Sequence, residues 1–299
     1  MNNKKCILCN NIKFSKLFKK NNYQVVECVS CNFIFLNPPP NKSQLVKYYK
    51  NFDYQTGFIN ENLIRRDSIK TLKNLKKLGY DNGSLLDIGC GAGFFLDEAR
   101  KFGWEVQGID TSEITSSYGK NKLKLEIINS NFLDYKFPES KFRVITLLQV
   151  IEHLNDPTTM IKKIYKLLEP NGILCIATPN IESYLSRILK NNFNYMIPPE
   201  HISFYSPQTL KTLLKNANFR IVKTFTWSYS SDLAAIIKYK LKKDNSSVDN
   251  KRIVSHKINK ISFVKRMKSI LFDEIFCKVF YRILNYNNGG SMIEIYAKK

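Results

Sequence analysis

Leu86-Asp87-Ile88-Gly89-Cys90-Gly91-Ala92-Gly93 is the stretch on which the reading of the fold turns. The apolar run Leu85–Ile88 has the length and character of a short buried strand. From Phe94 to about Phe102 the pattern is helical, so the glycines join a strand to a helix. Glycine lets a backbone turn sharply and lie close to a ligand. The helix start adds free N–H groups that point at whatever is bound. Spacing excludes two ligands. A dinucleotide fingerprint is G-x-G-x-x-G, and Phe94 stands where its third glycine belongs. A phosphate-binding loop needs Gly-Lys-Ser/Thr, which does not follow here.

Outward from this turn, helical and strand patterns alternate between residues 61 and 227. Leu63, Ile64, Ile69, Leu72, Leu75 and Leu78 recur at helical spacing before the loop. After it come expected strands at Glu105–Ile109, Leu125–Ile128, Val144–Leu148, Gly172–Ala177 and Phe219–Thr226. Expected helices lie near Ser112–Lys122, Pro157–Leu168 and Gln208–Ala217, and a last strand at Met292–Ala297 follows Asn287-Asn288-Gly289-Gly290. Such alternation predicts an α/β fold, a Rossmann-like and mostly parallel sheet with flanking helices. The expected divisions are a zinc module over 1–37, a connector over 38–60, the sheet domain over 61–227, a helical insertion or lid over 228–289, and the last strand over 290–299.

The G-x-G-x-G spacing resembles the first motif of class I methyltransferases that use S-adenosylmethionine (SAM). That resemblance implies that Asp87, Gly89, Gly91 and Gly93 hold the cofactor. Asp110, in Gly108-Ile109-Asp110, matches the acidic residue that takes both ribose hydroxyls in the family. Ser130-Asn131-Phe132-Leu133 matches the turn that flanks the adenine, with Asn131 on the base edge and Phe132 against its face. Leu148-Gln149-Val150-Ile151-Glu152-His153-Leu154 matches the motif after the fourth strand, which puts Gln149 beside the cofactor. Some relatives carry Glu-x-x-Glu-His there and use it with a divalent metal, whereas Gln149 stands in the place of the first glutamate. Glu152 and His153 either shape the loop or take part in such a site.

Cys6-x-x-Cys9 and Cys28-x-x-Cys31 are two knuckles of the kind that close a four-thiolate Zn²⁺ site. Four thiolates leave no open coordination position, so this zinc is expected to be structural. Cys90, Cys175 and Cys277 sit in apolar or tight contexts. Lys4 and Lys5 are followed by Cys6 and polar residues rather than the apolar core of a signal peptide. A cytoplasmic protein is therefore expected.

The best candidate base is His201, in Pro198-Pro199-Glu200-His201-Ile202-Ser203-Phe204-Tyr205-Ser206, with Glu200 beside it to orient the ring. The other use open to His201 is to cap the helix near Ser206. Knuckles, Tyr-rich connector, SAM motifs and this Glu-His pair together resemble the sugar C-methyltransferases of deoxysugar pathways. The resemblance spans about residues 1–227, and those enzymes carry a further C-terminal domain that has no match here. It implies a sugar site lined by Glu200, His201, Tyr49 and Tyr54. Methylation of a glycan or other small molecule at oxygen is equally compatible.

The chain has 299 residues and a formal net charge of +22. So basic a balance suits anionic partners, although evenly spread lysines also make an ordinary solvated surface. Phe263–Leu284 is apolar on one face and carries Lys265, Arg266, Lys268, Lys278 and Arg282. It is expected to be a lid, or a peripheral contact with the anionic inner face of a membrane. Two alternative functions stand beside the glycan or small-molecule methyltransferase: an RNA methyltransferase and a non-catalytic scaffold of the same fold. Oligomeric state is not encoded in any of these patterns.

Overall fold

A computed structural model describes residues 5–50, 60–229, 231–232, 234–236, 239 and 285–299. Its main sheet has seven strands: β4 (Gly83–Ile88), β5 (Trp104–Asp110), β6 (Ile127–Asn129), β7 (Phe142–Leu148), β8 (Leu168–Pro179), β10 (Arg220–Trp227) and β11 (Met292–Lys298). Their order is β10-β11-β8-β7-β4-β5-β6. From β8 to β6 the neighbours are parallel, and β11 pairs antiparallel with both β8 and β10. The expected Rossmann-like, mostly parallel sheet is thus present.

Residue character explains the central position of β4. Leu85, Leu86, Asp87 and Ile88 are all buried, as a strand covered on both faces requires. The chain winds from β4 to β5 and β6 on one side, then returns to β7 and β8 on the other. This reversal opens a crevice at the carboxyl ends of β4 and β7, where ligands bind in such sheets.

The helices that frame the crevice are α2 (Glu61–Lys77), α3 (Phe94–Lys101) and α4 (Glu113–Lys122). Arg65 on α2 pairs with Asp97 and Glu98 on α3, each at 2.6 Å. A fourth, α5 (Pro157–Leu167), starts on an Asp156 cap that accepts the Thr159 amide at 3.0 Å. The expected place for Pro157 in its first turn is met.

A second sheet is antiparallel, in the order β1 (Phe14–Lys20), β2 (Tyr23–Cys28), β3 (Ile34–Leu36), β9 (Ser203–Phe204). Its last strand comes from the main domain, near Glu200 and His201. Sequence patterns give no sign of β9 or of the short α6 (Tyr184–Leu189), because two and six residues are too few to show a period. The last helix of the core, α7 (Pro207–Lys215), has a capping box between Ser206 and Thr209. Ser206 itself is the cap, so His201 does not serve as one. In the connector, α1 (Lys42–Lys50) is helical. Most of the expected lid, with Phe263–Leu284 and Cys277, lies outside the described residues. Among the described residues, no helix is long and apolar enough to cross a membrane.

Candidate functional site

The glycine turn leaves β4 with left-handed backbone at Gly89 (φ 73°) and Gly91 (φ 53°). At Gly89 a Cβ would come within 2.5 Å of Val150 Cγ2, so the turn lies hard against the segment after β7. At Gly91 a Cβ would meet nothing within 4 Å. Glycine there leaves an open cradle, the feature expected above a bound ligand. Gly93 caps α3 in the same conformation (φ 81°).

Asp110 ends β5 facing this cradle. Its Oδ2 accepts the Gly91 amide at 2.8 Å and its Oδ1 the Ser112 amide at 2.7 Å. Each oxygen keeps a further lone pair, enough for two neighbouring hydroxyls. Burial raises the carboxyl above the usual range, against the pull of those amides. Asp87 lies beneath the turn and accepts the Thr146 hydroxyl at 2.7 Å. Burial, with the Asp110 charge as a smaller cause, lifts it to about 7. These residues fit the ribose and amino-acid portions of SAM.

On the adenine side the geometry departs from expectation. The Phe132 ring is buried in the core, 6.0 Å from the Phe137 ring, with Lys163 Nζ 4.9 Å from its centre. It is packed too deeply to cover a base. Asn131 is exposed, and its Oδ1 already accepts the Leu133 amide at 2.8 Å. That bond leaves its amide NH₂ as the group that could donate to a base edge. Gln149 is exposed at the end of β7 with φ 59°, a strained conformation for a non-glycine residue.

Past Gln149, Glu152, His153 and His201 converge. Each offers one ligand-type atom, and these lie within 4.8 Å of one another. Glu152 is buried, its Oε2 accepting the Thr178 hydroxyl at 2.9 Å while Oε1 has no hydrogen-bond partner. Burial raises its carboxyl, partly offset by His153. His153 donates Nδ1–H to the Glu200 carbonyl at 2.9 Å, and His201 donates Nδ1–H to the Tyr195 carbonyl at 2.7 Å. A carbonyl only accepts, so Nδ1 carries the proton in both rings and Nε2 is the nitrogen left for other partners. The rings meet edge to face, 4.7 Å between centres. A carboxylate oxygen and two imidazole nitrogens so placed also suit a divalent cation.

Two expected roles change here. Glu200 does not orient His201: its carboxylate accepts the Tyr48 hydroxyl at 2.8 Å, and its carbonyl serves His153. His201 is buried, and burial with the neighbouring His153 lowers its pKa to about 3. A ring so weakly basic and so enclosed is poorly suited to take a proton from an acceptor. Tyr48 of the connector is brought to Glu200. Tyr49 lies on α1 with its side chain outside the described residues, and Tyr54 lies outside them altogether. His153, read from the sequence with Glu152 as shaping its loop or joining a metal site, lies one residue after Glu152 in the segment that follows Gln149.

The four cysteines do come together. Cys6 Sγ and Cys31 Sγ are 3.5 Å apart, and Cys9 Sγ and Cys28 Sγ 3.4 Å. Zinc–thiolate bonds of about 2.3 Å put tetrahedral sulfurs about 3.8 Å apart, so the cluster needs little change to hold Zn²⁺. Each knuckle is followed by an asparagine in left-handed conformation, Asn10 (φ 61°) and Asn32 (φ 58°).

A parallel sheet with this glycine cradle on β4 and a carboxylate ending β5 defines a SAM-dependent methyltransferase. The chain belongs to the family described as methyltransferase domain, whose model matches residues 60–224. Among similar proteins is a ubiquinone biosynthesis O-methyltransferase of Pelagibacter ubique, 34% identical over 183 residues, covering 56% of this chain and 72% of the relative. The protein of the same name from Coxiella burnetii is 28% identical over 149 residues, covering 46% of this chain and 64% of the relative. A solved SAM-dependent methyltransferase from Archaeoglobus fulgidus superposes with a TM-score of 0.55 at 22% identity, over 83% of this chain and all of the other. The [4+2]-cyclase SpnF superposes with a TM-score of 0.54 at 16% identity, over 87% of this chain and 97% of the other. The same fold carries different chemistry, so the acceptor must be argued from the site.

Proposed function

We propose that this enzyme methylates a hydroxyl of a small polar acceptor, a sugar or surface-glycan precursor, with His153 as the proton acceptor and a structural zinc in the four-cysteine module. The observation that carries the reading is the polar cluster of Glu152, His153, Glu200 and His201, joined to the cofactor turn through the Val150–Gly89 contact. The name of the Pelagibacter relative supports oxygen as the methylated atom. The knuckles and the Glu200-His201 pair support a sugar over a quinone precursor.

SAM, when bound, supplies the methyl group and a sulfonium that leaves readily. The chain itself has two tasks. Positioning the acceptor for in-line attack is worth roughly 7–11 kcal/mol in favourable cases. Removing the hydroxyl proton is worth about 10²–10⁴-fold. His153 is half-buried, and the Glu200 carbonyl that takes its Nδ1–H leaves Nε2 as the nitrogen to receive the acceptor's proton. His201 stays neutral and fixes the far wall, while Glu200 and Tyr48 offer hydrogen bonds to further hydroxyls.

Methyl-labelled SAM would be incubated with the enzyme and, in parallel, nucleotide-linked deoxysugars, a catechol and bulk RNA. Label in a sugar is expected, with turnover of His153→Ala lowered at least about tenfold and SAM affinity unchanged. Label in the catechol or the RNA alone would reject the acceptor class. Undiminished turnover in His153→Ala would remove the base.

A further inference from the structure

The cysteine module is built into the main domain at one place. Strand β3 begins three residues after Cys31 and pairs with β9, Ile34 opposite Phe204 and Phe35 opposite Ser203. Ile202, next to His201, joins three segments through its backbone. Its carbonyl accepts the Leu36 amide at 2.9 Å, and its own amide donates to the Glu152 carbonyl at 2.8 Å. The hairpin tip between β1 and β2 grips the same loop from its other end. Asn21 Nδ2 donates to the Pro198 carbonyl at 2.7 Å, and Lys20 Nζ to the Asn191 carbonyl at 2.6 Å.

Packing ties the module to the loop on one face and to the main core on the other. Val25 and Leu36 share a core with Phe193, Met196, Ile202 and Phe204. On the other face, Cys6, Cys28, Phe33 and Phe35 belong with Tyr205 and the α7 leucines to the large core that also holds Leu86, Ile88 and Ile109 of the cofactor strands. The strands that carry the cofactor cradle, β4 to β6, pair with no strand of the module. Backbone hydrogen bonds thus run from the module to the 195–205 loop, whereas β4 and β5 share with the module, among the described residues, a side-chain core.

We infer that the four-cysteine module is the scaffold of the acceptor loop, residues 195–205, and that Asn21 is a positioning residue for Glu200 and His201. Metal in the knuckles holds β2 and β3 in register, β3 holds Ile202, and Ile202 holds the loop against Glu152. This rests on the reading that the loop faces the acceptor, but its test needs no acceptor.

Hydrogen exchange read by mass spectrometry, with SAM calorimetry, tests it on the full chain. Zinc content is measured first, so that a missing metal rejects the zinc reading by itself. Two samples are compared with the untreated protein: one stripped by a chelator, and Asn21→Asp, which keeps a left-handed turn residue but loses the donor. Stripping is expected to speed exchange in peptides spanning 197–206 at least about tenfold, and Asn21→Asp about threefold. Peptides spanning 85–93 and SAM affinity are expected to stay within about twofold. Unchanged exchange over 197–206 in Asn21→Asp would overturn the role of Asn21. Unchanged exchange there in the stripped protein, or equal acceleration over 85–93, would overturn the scaffold.

Discussion

Two glycines in one turn do different work, and substitution separates them. At Gly89 a methyl would strike Val150 and the backbone is left-handed, so Gly89→Ala should destabilise the fold by about 1–3 kcal/mol. Gly91→Ala meets no atom, and its strain costs only about 1 kcal/mol. It should weaken SAM binding at least about tenfold. Thermal melts and calorimetry on both variants check this, and equal loss of Tm in the two would contradict it. Asp87 gives a pH dependence. Its folded pKa of about 7 exceeds the unfolded value, so the folded chain holds this proton more tightly. Stability from this group is present below about pH 4 and falls as pH rises toward 7, by at most about 4 kcal/mol. Denaturant unfolding at pH 5 and pH 8 should show a smaller loss in Asp87→Asn than in the parent chain. Residue types in the cradle were legible because the spacing of glycines and acids is local. The fate of Phe132 was not, since a ring beside a ligand turn can face either the ligand or the core. Only the packing with Phe137 and Lys163 decides.

Elements with a clear period were readable. The pattern of Leu72 and Leu75 marks α2, and the apolar run of β4 marks a central strand. The residues 203–204 and 184–189 gave no such signal, and their order comes from tertiary partners such as β3. The pairing of Glu152 with His201 was likewise hidden. The two lie on separate loops, and the shared Ile202 bond is a backbone contact without a side-chain signature. Helix α7 supports the module face, and its start depends on Ser206. Ser206→Ala removes the half of the capping box that its hydroxyl accepts from the Thr209 amide, leaves the residue-206 amide on the Thr209 hydroxyl, and should cost about 1 kcal/mol. A Tm drop of several degrees is expected, with SAM affinity unchanged. An unshifted Tm would show that β9 alone fixes that helix.

At the scale of the whole molecule, the net charge of +22 coexists with acidic side chains at Asp87 and Asp110 around the glycine turn and at Glu152 and Glu200 past β7. Net charge alone is therefore a poor guide to the substrate. In the function proposed above the labour is divided: β4 to β6 present the donor side, and the module with residues 195–205 presents the acceptor side. The donor side is the central claim. Calorimetric titration with SAM of the parent chain and of Asp110→Ala tests it most directly. One SAM per chain is expected for the parent, with affinity lowered at least about tenfold in a folded Asp110→Ala. No heat from the folded parent at about 1 mM SAM, at the weak end of ordinary substrate affinities, would contradict it.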